Sequence, residues 1–110
     1  MISETDKLGI NPPDIVKYDY KFIKELGRGT YGLACLYQNL RTKKQVVIKF
    51  ESTSGPFQAL TSESLYLKRM SATNLKHIPA YYEHGTTAND PPYSFLIMGL
   101  VQFAIDDFVK

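Results

Sequence analysis

Scarcity narrows this sequence before any motif does. A single cysteine, Cys35, excludes an internal disulfide, and with only His77 and His84 beside it no spacing resembles a structural zinc site. Residues Met1 to Lys7 hold no apolar stretch that could serve as a secretory h-region, and no asparagine opens an Asn-x-Ser/Thr sequon. The longest apolar run, Phe95 to Val101 with Gly99 inside it, falls far short of the roughly 18 residues a membrane-spanning helix needs. Neither sign of charge dominates: 13 basic and 11 acidic side chains are spread along the chain, with no basic block to track a phosphate backbone. The expectation is a cytoplasmic or nuclear chain with neither nucleic acid nor a membrane as partner.

What is present is apolar mass. The 110 residues are 44% hydrophobic and 13% aromatic, with eight Tyr and six Phe, which suits one domain of the common size of about 100 to 150 residues. Residues 1–19, with Gly9 and Asn11-Pro12-Pro13, read as an extended, solvated arm. From Tyr20 the texture changes. Tyr20–Leu26, Gly32–Tyr37 and Gln45–Phe50 are rich in aromatic and aliphatic residues and predict three antiparallel strands joined by short turns. Ser52-Thr53-Ser54-Gly55-Pro56 then offers capping residues ahead of a helix over Phe57–Met70. Its 3.6-residue period places Phe57, Leu60, Leu67 and Met70 toward the sheet, with Glu63 on the same stripe. Ala80–His84 and Tyr93–Met98 complete five strands, and Phe103–Lys110 could begin another helix. The fold class is α+β.

Gly27-x-Gly29-x-x-Gly32 alone specifies no more than turn chemistry. A dinucleotide-binding reading needs a helix directly after the glycines, and Leu33–Tyr37 reads as a strand instead. Strand, glycine loop, strand is the arrangement that lets backbone N–H groups approach phosphates, and it calls for a lysine on the next strand. Lys49, at the end of Val46-Val47-Ile48-Lys49, stands there, although any lysine can also be an ordinary surface residue. Glu63 bears on the choice. A carboxylate on an apolar stripe is costly unless paired or turned to water, and the nearest cation on the sheet would be Lys49.

Gly27-Arg28-Gly29-Thr30-Tyr31-Gly32, Val46-Val47-Ile48-Lys49 and Glu63, in that order, resemble the amino-terminal lobe of a eukaryotic protein kinase. Val47–Glu51, Glu63-Ser64, Ile78-Pro79 and Leu100–Phe108 are most similar to the casein kinase I group, with its tau-tubulin and vaccinia-related kinase relatives. The resemblance covers about residues 20–110 and implies a five-stranded antiparallel sheet with one helix, the family's αC, followed by the hinge and the start of the next helix. It also implies roles. Gly27, Gly29 and Gly32 would cover the phosphates of ATP, and Lys49 would orient them while pairing with Glu63. Met98 falls at the gatekeeper position, Gly99 to Val101 at the adenine-binding hinge, and Leu26, Ala34 and Val47 form the roof over the base. Magnesium is implied by the family only. Ala34 and Val47 depart from the family's usual valine and alanine, a pair of opposite size changes expected to conserve volume if both line one region. Gly99 stands for a common acidic hinge residue, and Gln102-Phe103 for Gly-Pro.

Phosphoryl transfer also needs a carboxylate for the acceptor hydroxyl and side chains that hold magnesium. The family's His-Arg-Asp and Asp-Phe-Gly motifs are absent from these 110 residues, and Asp107-Phe108-Val109 follows the hinge too closely to replace the latter. The expectation is therefore an ATP-binding lobe, a short product or fragment inactive by itself, with the second lobe absent. A protein substrate would follow only where a second lobe exists, and a partner could cover the apolar inter-lobe face around Leu100, Val101, Ile105 and Phe108. The alternative is a non-catalytic, kinase-like regulatory module.

Overall fold

The computed structural model describes residues 10–29, 32–53, 59–73, 78–88 and 92–100. They form β1 (Ile15–Val16), β2 (Tyr20–Arg28), β3 (Gly32–Asn39), β4 (Gln45–Ser52), α1 (Ala59–Ser71), β5 (Tyr81–Thr86) and β6 (Tyr93–Gly99). All six strands join one antiparallel sheet in the order β1-β2-β3-β4-β6-β5. It is a small α+β unit, a curled sheet with one helix, broadly like a kinase amino-terminal lobe.

The sheet has six strands rather than the expected five. The additional one, β1, pairs Ile15 with Lys21 and Val16 with Tyr20, and it lies inside the segment read as a solvated arm. Ile10 and Val16 are only 3% and 4% exposed, so this segment contributes to the core. Its hairpin turn is unusual in holding Lys17 and Tyr18 at positive φ (52° and 69°), a conformation that glycine adopts more readily. Phe57, the start of the expected helix, lies outside the described residues, as do residues 1–9 and 101–110.

Alternation along β4 separates two cores. Val46, Ile48 and Phe50 join an aromatic cluster with Leu33, Cys35, Tyr37, Tyr93, Phe95 and Ile97. Val47 joins a second cluster with Ala34, Leu96, Met98 and the helix residues Leu60 and Leu67. These will be called the aromatic face and the helix face. On the aromatic face Phe22 meets Tyr37 edge-on at 5.6 Å, and Phe50 meets Tyr93 at 6.3 Å, the arrangement aromatic quadrupoles favour. The curl brings the sheet's outer strands together, where the Lys17 ammonium pairs with the Glu83 carboxylate.

Candidate nucleotide site

The helix face is where the sequence-predicted residues meet. Leu26, Ala34, Val47 and Met98 belong to one apolar cluster. For Leu26 this depends on backbone irregularity: β2 shifts register between Phe22 and Lys24 and again between Glu25 and Gly27. Simple alternation would place Phe22 and Leu26 on the same side. The shifts instead leave Phe22 on the aromatic face and turn Leu26 into the helix-face cluster, the re-aiming that β-bulges produce. Ala34 and Val47 share that cluster, as the proposed volume exchange between them requires.

Gly27 pairs with Ala34 at the end of β2, and the Gly29 N–H donates to the Gly32 carbonyl at 2.9 Å, closing the hairpin. The glycines are not equivalent. A Cβ on Gly32 would lie 2.8 Å from the Phe50 carbonyl oxygen, so the close approach of β3 to β4 itself demands glycine there. A Cβ on Gly29 would meet no described atom within 4 Å, so packing against the described residues does not demand one.

Lys49 lies opposite Ala34 on one side and Leu96 on the other, and its ammonium forms an ion pair and hydrogen bond with the Glu63 carboxylate of α1. The side chains are 21% and 41% exposed, so the pair sits at the rim of the apolar cluster, where a ligand could reach it. Glu63 is beside the helix's buried stripe rather than in it: Leu60, Ser64 and Leu67 are the buried residues, and Met70 is half-buried. The Ser64 hydroxyl is satisfied by donating to the Leu60 carbonyl at 2.7 Å, which lets a polar side chain fill the close contact between helix and sheet.

Glu51 was not among the candidate residues. It lies two positions after Lys49, hence on the same face, and is buried. Both of its carboxylate oxygens accept from the Leu60 N–H at 3.2 Å, so β4 grips the first turn of α1 with one side chain and the middle of α1 with another. The available signal was the alternation itself: a carboxylate at i+2 from a helix-facing lysine must also face the helix.

At the other end of β6, Met98 is buried and Gly99 lies against Ala80, donating its N–H to the Ala80 carbonyl at 2.8 Å. Leu100 packs on the helix-face cluster. Val101, the remaining hinge candidate, lies outside the described residues, as do Ile105 and Phe108.

The donor set suits a polyphosphate attached to a flat apolar group: a cation held by a carboxylate at the rim of an apolar cluster that includes Leu26, Ala34, Val47 and Met98, with glycines at the end of β2 and the start of β3. No group of three or more His, Cys, Asp or Glu able to hold a metal ion lies together among the described residues.

No family model matches the chain. Casein kinase I homolog 3 of Schizosaccharomyces pombe is 28% identical over 94 residues, which make up 86% of this chain. The same stretch is 20% of that protein, so the chain spans about a fifth of the length of this curated relative. The likeness fits a kinase-like fragment.

Proposed function

We propose that this chain is the ATP-binding lobe of a casein-kinase-I-like serine/threonine kinase. The observation that carries the reading is the Lys49–Glu63 pair, set at the rim of the apolar cluster that Leu26, Ala34, Val47 and Met98 share. Lys49 would hold α- and β-phosphate oxygens, and Glu63 would fix the lysine's position so that little side-chain entropy remains to be lost on binding. The hairpin amides would cover the phosphates from above. Adenine would lie against Leu26, Ala34, Val47 and Met98, with the backbone of Gly99 to Val101 along its edge. Magnesium, when bound with the nucleotide, would neutralise phosphate charge; no protein ligand for it is assigned.

The same reading makes the chain inactive alone. With neither a catalytic carboxylate motif nor a magnesium-binding motif in these 110 residues, nothing is placed to manage the acceptor proton. Protein substrates would belong to a whole enzyme. The test is a thermal shift with MgATP on wild type and Lys49→Ala, alongside a casein phosphorylation assay. Stabilisation of wild type that the substitution removes, with no phosphate transferred, supports the proposal; a shift indifferent to Lys49, or robust transfer to casein, contradicts it.

A further inference from the structure

Arg28 stands between two glycines of the hairpin, where the backbone has little side-chain mass to hold it, yet its own side chain is only 10% exposed. It points to the aromatic face, away from Lys49: Arg28 pairs with Leu33, a residue of the aromatic cluster. Its guanidinium is engaged on two sides. Nη1 donates to the Ile10 carbonyl at 3.1 Å, while Nη2 and Nε donate to the two carboxylate oxygens of Glu25 at 2.9 and 3.4 Å.

Ile10 opens a segment that is fastened independently elsewhere. The Asn11 N–H donates to the Tyr93 hydroxyl at 3.1 Å, the Tyr37 hydroxyl donates to the Pro13 carbonyl at 2.6 Å, and the Phe22 N–H donates to the Asp14 carbonyl at 2.8 Å. Residues 10–14 therefore cross the aromatic face bound to β2, β3 and β6, with the Ile10 side chain buried in the aromatic cluster. Among the described residues, Arg28 joins this strap to the glycine hairpin by its hydrogen bond to the Ile10 carbonyl.

We propose that the strap over residues 10–14 sets the position of the glycine hairpin through Arg28, making Arg28 a positioning residue for phosphate binding. The inference rests on the nucleotide reading above. Arg28 touches no phosphate in this scheme; it restricts the hairpin to the conformation from which the amides can reach one. An arginine suits the task because its planar fork engages a carboxylate and a carbonyl together, whereas a lysine offers a single ammonium. Release of the strap would lower the fraction of chains with a competent hairpin and raise the apparent Kd by the same factor.

The test uses the full chain and two probes, MgATP and adenosine, by calorimetry, with hydrogen exchange of residues 10–16 followed in parallel. Arg28→Ala is expected to weaken MgATP about fivefold, as a fall of the competent fraction to about a fifth would do, while adenosine changes less than about twofold. Arg28→Lys should lie between, and exchange of the strap should rise in Arg28→Ala without any nucleotide. Tyr37→Phe loosens the strap at a distance from the hairpin and serves if Arg28→Ala does not fold; it should also weaken MgATP in preference to adenosine. Unchanged MgATP affinity in a variant whose strap exchanges freely would reduce Arg28 to a structural staple and overturn the proposal. Equal loss for both probes would do the same. Wild type that fails to bind MgATP, or a Lys49→Ala variant that binds it equally well, removes the nucleotide reading itself and this coupling with it.

Discussion

The two faces of the sheet use the same strands for opposite purposes. On β4, Val46, Ile48 and Phe50 enter a cluster of aromatic and branched side chains that the 10–14 strap covers, while Val47, Lys49 and Glu51 face a helix. The polar side-chain contacts of the aromatic face fasten the strap, as in the Tyr37 hydroxyl's bond to the Pro13 carbonyl. The helix face gives up apolar area to two carboxylates and a lysine, each with a partner. The difference teaches where stability and binding reside. The aromatic face should hold the unit together, and the helix face should give part of its packing to a charged rim that a ligand could reach.

The strongest way to break this contrast is to truncate the aromatic face. Phe50, 1% exposed and in contact with both Tyr37 and Tyr93, should cost about 3–5 kcal/mol as Phe50→Ala, read by urea denaturation. For a unit this small that is a large share of a typical total of about 5–15 kcal/mol, so most of the variant should be unfolded or molten. A loss under about 1 kcal/mol would show that the aromatic face does not dominate.

Alkali probes the same face through its buried thiol. Burial, reinforced by Glu25 and opposed by Arg28, pushes the Cys35 thiol from 9.0 up to about 12, and burial also pushes the Tyr37 phenol upward. The folded state thus keeps the thiol proton that the unfolded state releases. The stabilising contribution of Cys35 is fully present below pH 9 and is lost as pH rises toward about 12. Within that window its share should fall by on the order of 1 kcal/mol per pH unit, measured as the difference between wild type and Cys35→Val in denaturant midpoints at several pH values. The same thiol should react slowly with a disulfide reagent at pH 8 in folded protein and quickly in urea.

Glu51 sharpens the comparison from the other side. Glu51→Ala removes the acceptor for the Leu60 N–H at the start of α1 and should cost about 1–2 kcal/mol, with Glu51→Gln milder because an amide oxygen can still accept. Circular dichroism at 222 nm during denaturation reads both. The smallest effect on stability is expected at the pair proposed to hold the nucleotide. Lys49 and Glu63 are partly exposed, so Lys49→Met should shift stability by less than about 1 kcal/mol while abolishing most nucleotide affinity.

What could be read in the sequence depended on local pattern rather than on which face a residue joins. Strands β2, β3, β4 and β6 could be read because β-branched, aliphatic and aromatic residues cluster there between glycine and polar turns, and β5 was shifted by only a residue or two. The Lys49–Glu63 pair could be read from the order of glycines, lysine and helix carboxylate, although Glu63 stands beside the buried stripe of Leu60, Ser64 and Leu67 rather than in it. Strand β1 could not: two residues are too few to show alternation, Pro12-Pro13 precede them, and the turn that closes them uses Lys17 and Tyr18 where glycine would have signalled it. The placement of Leu26 beside Ala34 and Val47 was legible only through the family resemblance, because it depends on register shifts invisible to a period-two pattern. Arg28 was hidden for a related reason, because its partner Ile10 lies 18 residues away in a segment whose composition suggested solvation.

The helix face is proposed to bind phosphate through Lys49, while the aromatic face keeps the unit folded. Calorimetric titration of MgATP into wild type and Lys49→Met, at matched thermal stability, tests it most directly. The predicted result is binding by wild type and at least about tenfold weaker binding by the variant, a loss of about 1.4 kcal/mol or more. Equal affinity in the two proteins, or no binding by wild type, would contradict it.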